Sequence, residues 1–135
     1  MKGDSEIFPF SESDKTPGRI PYMPLLLSYK GSSLSVSAML DTGASVNVLP
    51  YEIGIRLGAV WEHQTTKLEL TGNLAKSEAR VIVLNGKVSR FKPVRLAFAW
   101  TQAENIPVIL GQVNFFLEFD VCFFSSQAIF EIAPK

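Results

Sequence analysis

Short runs in which apolar and polar residues alternate recur along this chain, each ended by glycine, asparagine or proline. The clearest sets Leu34, Val36, Ala38 and Leu40 against Ser35, Ser37 and Met39, and this alternation predicts a half-buried strand over 34–40. Read in the same way, further strands are expected near 23–29, 46–50, 66–70, 75–84, 87–91, 94–100, 106–110, 121–124 and 127–132. Residues 51–57 predict one or two helical turns stopped by Gly58, and 113–118 a short helix. Gly31 marks one hairpin turn and Asn85-Gly86 another, since Asn-Gly suits a type I′ turn. Many short strands, frequent turns and little helix predict an all-β barrel or sandwich.

Composition narrows the class. The 135 residues suit one domain, able to bury roughly two-thirds of the surface its unfolded form exposes. Thirteen acidic and thirteen basic residues cancel, so no net field favours nucleic acid or an anionic membrane. No uninterrupted apolar stretch is long enough to span a bilayer, and residues 1–10 carry Asp4 and Glu6 and lack the apolar core of a signal peptide. The single cysteine, Cys122, leaves no internal disulfide to form and fits a reducing compartment, so a cytoplasmic location is expected. Residues 1–19 are rich in Ser, Pro, Gly and charge and are expected to form a mobile or loosely packed arm ahead of a domain over 20–135.

Chemistry concentrates at Asp41-Thr42-Gly43, which interrupts an apolar run where a purely structural strand would stay apolar. A carboxylate at the end of a buried strand needs donors, or desolvation drives it towards its neutral form. Gly43 lets a backbone N–H approach closely, and Thr42 brings a hydroxyl. The same residues also suit an ordinary turn, since Asp and Gly are common turn formers. Other chemistries have little to build on. His63 is the only histidine and is expected on a surface turn, and one His with one Cys makes no zinc cluster. No metal or other cofactor is expected. Cys122, in Val121-Cys122-Phe123-Phe124, is expected to be buried as a small hydrophobe, and Trp61, Trp100 and Phe98 to serve packing.

A second segment, Ile106-Pro107-Val108-Ile109-Leu110-Gly111, ends a β-branched run in glycine and leads into the short helical stretch. With Asp41-Thr42-Gly43-Ala44-Ser45, it makes the chain resemble the retropepsin-like aspartic proteases, single-domain relatives of pepsin. The resemblance runs from about residue 21 to 134 and is closest to the small bacterial-type members. It implies a closed acid-protease-type β-barrel with one or two short helices and an active site at a homodimer interface. The tripeptide occurs once, so the second carboxylate would come from Asp41 of a second copy. It also implies an aspartic endopeptidase in which Asp41, Thr42 and Gly43 are catalytic and a peptide substrate binds as an extended strand. Ala44 and Ser45, a flap tip at Thr71, Gly72 and Asn73, and the Pro107/Ile109 face would contact that substrate. From local residues alone, 70–74 is equally an ordinary hairpin turn, and Val108 and Leu110 are core.

The chain departs from the retroviral pattern at Ser45 and Gln112, where those enzymes carry an acid and an arginine that pair. Both charges are missing together, which leaves neither buried alone. Ala44 replaces the serine usual in pepsin-like sites, which predicts a mildly acidic optimum. The alternative to an enzyme is a catalytically weak retropepsin-like module for dimerisation or peptide binding. Ala128, Phe130 and Ile132 line up on one face of the last strand and are expected, with residues 20–23, to contribute to the dimer interface.

Overall fold

A computed structural model describes residues 4–13, 16–75 and 77–135. In chain order the strands are β1 (Glu6–Pro9), β2 (Ser11–Ser13), β3 (Thr16–Ile20), β4 (Tyr22–Tyr29), β5 (Ser32–Leu40) and β6 (Asn47–Pro50). Helix α1 (Tyr51–Arg56) follows, then β7 (Lys67–Leu68), β8 (Ala79–Lys87), β9 (Val94–Thr101), β10 (Val108–Leu110), α2 (Phe115–Glu118), β11 (Phe119–Phe124) and β12 (Ile129–Pro134). Strands β4-β5-β10-β6-β9-β8 are hydrogen-bonded in that order, and β8 pairs back onto β4 to close a six-stranded barrel. Strand β7 is appended to β8. The chain is therefore mostly β with a closed barrel and two short helices: the alternation predicts a barrel or a sandwich, and the closed barrel is the one that the resemblance implies.

The period of two sorts side chains between two apolar layers. Inward positions Leu25, Leu27, Ile82, Leu84, Leu96, Phe98 and Trp100 join Leu40, Leu49 and Leu110 in the main core. Trp100 is fully buried, stacks on Tyr51 at 5.6 Å and donates its indole N–H to the Tyr51 carbonyl at 3.0 Å, fixing α1 on the barrel. On the opposite face of the same strands, Val48, Leu70, Ala79 and Ala99 form a smaller buried cluster, with Ile106 and Ile109 packed against it. That second layer underlies the candidate site.

Four features depart from expectation, each because tertiary packing overrides a local signal. Asn85-Gly86 is not a turn. Both residues lie within β8, opposite Arg95 and Val94, and of the expected strand over 87–91 only Lys87 is in a strand, the turn following it with Ser89 at φ 49°. A Cβ on Gly86 would meet Leu96 Cδ1 at 2.5 Å, so the glycine serves close packing between strands. Within the expected arm, β1 pairs with β12, and Phe8 stacks on Phe130 at 5.4 Å. Burial of two phenylalanines favours packing over the polar composition around them. Cys122 is exposed, because β11 turns Val121 and Phe123 towards the core and Cys122 away from it. Finally, Phe130 and Ile132 are wholly buried within the chain, so the face of β12 expected to meet a partner is already covered.

Candidate active site

Asp41 sits where two parallel strands end side by side. Strand β5 pairs with β10 in parallel, Leu40 opposite Leu110, and the Asp41 N–H donates to the Leu110 carbonyl at 3.0 Å. The alternation that buries Ala38 and Leu40 thus delivers the acid at the rim of the core, half-buried. The backbone then turns tightly. Gly43 N–H donates to Asp41 Oδ1 at 2.9 Å, and Ala44 N–H to the Asp41 carbonyl at 3.1 Å. Thr42, Gly43 and Ser45 are exposed.

The second motif braces this loop from behind. Gln112 N–H donates to the Ala44 carbonyl at 2.9 Å and Val113 N–H to the Ser45 carbonyl at 2.8 Å. The Gln112 side-chain amide donates to the Thr42 carbonyl, also at 2.9 Å. A Cβ on Gly111 would lie 2.5 Å from the Val46 carbonyl oxygen and 2.8 Å from that of Ala44, so only glycine lets the two segments approach this closely. Asn47, fully buried, accepts from Gly111 N–H at 2.9 Å and donates to the Ala97 carbonyl at 3.1 Å. Asn114 completes the frame, accepting from Ala97 N–H at 2.6 Å and donating to the Arg95 carbonyl at 3.1 Å. Two asparagines thereby tie the segment 111–114 to β9 while its backbone holds the Asp41 loop.

A cavity of about 430 Å³ opens over this loop. Asp41, Gly43, Ala44 and Ser45 line one side, Val46, Val48, Ile106 and Ile109 the apolar wall, and Glu69, Leu70, Thr71, Gly72 and Leu74 the other side. Of the residues singled out in the sequence, Asp41, Gly43, Ala44, Ser45, Thr71, Gly72 and Ile109 therefore meet at one cavity. Thr42 belongs to the loop but is not among the lining residues. The side chain of Asn73 lies outside the described residues. Pro107 is placed elsewhere. It lines a separate cavity of about 540 Å³ with Tyr22, Ser35, Ser37 and Arg56, because it precedes β10 and the alternation that aims Ile109 does not reach back to it.

The segment 69–78 joins β7 to β8, whose ladder pairs Lys67 with Arg80 and Leu68 with Ala79. Its tip is a 3-10 turn, Gly72–Leu74, with Gly72 at φ 66°. Leu70 packs into the small cluster with Val48, Ala79 and Ala99, so the tip lies down over the cavity wall. Arg80 anchors the base, donating to the Trp61 carbonyl at 2.9 Å with its guanidinium 4.6 Å from the Trp61 ring centre. Neither Asn47 nor Asn114 stands out in the sequence, because a buried asparagine and a turn asparagine look alike until their partners are known. Among the described residues no group of three His, Cys, Asp or Glu side chains is arranged to hold a metal ion.

The same architecture occurs in a retropepsin-like aspartic protease from Rickettsia conorii. The two superpose with a TM-score of 0.63 at 16% identity, over 96% of this chain and 99% of the other. The fold is retropepsin-like. The EIAV protease in complex with an inhibitor is similar at lower overlap, with a TM-score of 0.47 and 23% identity over 68% of this chain and 81% of that one. No family model matches the sequence, and no curated protein does. Among the described residues no helix is long and apolar enough to cross a membrane.

Proposed function

We propose that this chain is one half of an aspartic endopeptidase, completed by a second copy that brings its own Asp41. The observation that carries this reading is the Asp41 loop itself. Its backbone is held from behind by Gln112 and Val113, with Gly111 packed closely against it, Thr42 is left exposed, and Asp41 and Gly43 line a cavity with an apolar wall. A lone half-buried acid in a structural turn needs neither the brace nor the cavity.

Two Asp41 carboxylates held about 3 Å apart cannot both ionise, so the pair shares a proton. The ionised carboxylate takes a proton from a water lying between the two, and that water attacks the peptide carbonyl carbon. The protonated carboxyl donates to the carbonyl oxygen, and a proton is then returned to the leaving nitrogen as the C–N bond breaks. Gly43 N–H, already bonded to Oδ1, orients the carboxylate. The exposed Thr42 hydroxyl bonds across the two-fold axis and keeps the carboxylates coplanar. The peptide lies extended against Ala44 and Ser45, with an apolar side chain on Ile109, and the segment bearing Thr71, Gly72 and Asn73 covers it.

Cleavage of a mixed peptide library between about pH 4 and pH 7 tests the reading, with wild type beside Asp41→Asn. Cleavage by wild type alone, blocked by a statine-type transition-state mimic, is expected. Equal cleavage by both proteins, or none by wild type at concentrations where a dimer exists, overturns it in favour of a binding module.

A further inference from the structure

We infer that Gln112 is a positioning residue that acts on Asp41 through a single peptide plane. The inference rests on the proposed peptidase reading and concerns what keeps its carboxylate aimed. The carbonyl that accepts from Gln112 Nε2 at 2.9 Å belongs to Thr42, and the N–H of that same peptide unit is the Gly43 donor to Asp41 Oδ1, also at 2.9 Å. A peptide unit is planar and trans, so its C=O and N–H point in opposite directions. Holding the oxygen towards Gln112 therefore aims the hydrogen at Asp41. Accepting a hydrogen bond at the oxygen also polarises the unit and strengthens the bond at its N–H. Only the NH₂ group of the side chain can donate to a carbonyl, so the direction of the bond is fixed by chemistry.

Gln112 stands where the retroviral pattern has an arginine that pairs with an acid, here replaced by Ser45. The side chain does not replace that pair. It turns to the carbonyl two residues before Ala44, the residue whose carbonyl its own N–H already holds. The same residue thus grips the loop at two points, one on each side of Gly43. Because the brace is neutral, it does not itself titrate beside a carboxylate whose charge must change during turnover. The loop 41–46 carries one titratable side chain, Asp41, and the segment 111–118 carries one, Glu118.

Gln112→Glu and Gln112→Met test the relay against a merely structural role. Glutamate keeps the shape but donates only when protonated, whereas methionine never donates. Measured as a ratio to wild type, kcat of Gln112→Glu should fall about tenfold above about pH 6 and recover in part by about pH 4, as its carboxyl takes up a proton. The ratio for Gln112→Met should stay low and flat across that range, with KM little changed in both variants. The Gly43 amide proton, followed by NMR, should move to higher field in Gln112→Met as its bond to Asp41 lengthens. Unchanged kcat and an unmoved Gly43 amide in both variants would overturn the inference while leaving the peptidase reading intact. Absence of cleavage by wild type would instead overturn that reading, and the amide shift alone would then decide whether the relay exists.

Discussion

Two regions of this chain have the sequence character of a contact with a second copy, and they end in opposite states. The last strand is finished. Strand β12 is paired on both sides, to β1 and to β11; its Phe130 and Ile132 are wholly buried, Phe130 against the rings of Phe8, Phe10 and Phe123. The Asp41 loop is finished only behind. Gln112 and Val113 satisfy its carbonyls, while Thr42 and Gly43 are exposed. An apolar stripe is a demand for burial that the chain's own packing can meet. An exposed hydroxyl beside a braced carboxylate is not a demand of that kind, and it is on the loop, not on β12, that the proposed pairing with a second copy rests.

Substitutions in the two regions should therefore separate activity from stability. The largest effect belongs to Asp41→Asn, which should lower peptide cleavage about a thousandfold or more and leave the thermal midpoint close to wild type. Phe130→Ala should do the reverse. Truncating a fully buried phenylalanine is expected to cost about 3–5 kcal/mol in denaturant unfolding, without a specific effect on subunit association. Loss of the dimer at unchanged monomer stability would restore β12 as an interface. Asn47→Ala, behind the Asp41 loop, should touch both properties, since it orphans Gly111 N–H and the Ala97 carbonyl. About 2 kcal/mol of destabilisation is expected from those unmet groups, together with a fall in kcat. At the small end, Ile7→Lys on the exposed side of β1 should change stability by less than about 0.5 kcal/mol. A change in oligomeric state on that substitution would show that the terminal sheet meets a partner through β1.

The barrel was legible because its strands alternate cleanly. The pattern at Leu34, Val36, Ala38 and Leu40 predicts both the strand and the place where Asp41 leaves it, and the β-branched run before Gly111 predicts the strand beside it. At Asn85-Gly86, at Cys122 and in the polar stretch around Phe8, residue type alone points the wrong way. Each was decided by a neighbour distant in sequence, respectively Leu96, the core beneath β11, and Phe130. Pro107 lies away from Ile109 for a related reason, since alternation extends only as far as the strand that enforces it. The polar frame was the least legible part of the site. Asn47, Gln112 and Asn114 carry no pattern of their own, and their roles come from backbone groups up to 70 positions away.

In the proposed peptidase, one Asp41 is completed by another. Peptide cleavage should be measured on wild type held at a concentration where it is dimeric, before and after equilibration with an equal amount of Asp41→Asn. Random re-pairing puts half of the wild-type chains into mixed dimers with a single carboxylate, so the rate should fall by about half. A rate that does not change while mixed dimers demonstrably form would mean that a single Asp41 suffices, and would contradict the shared site.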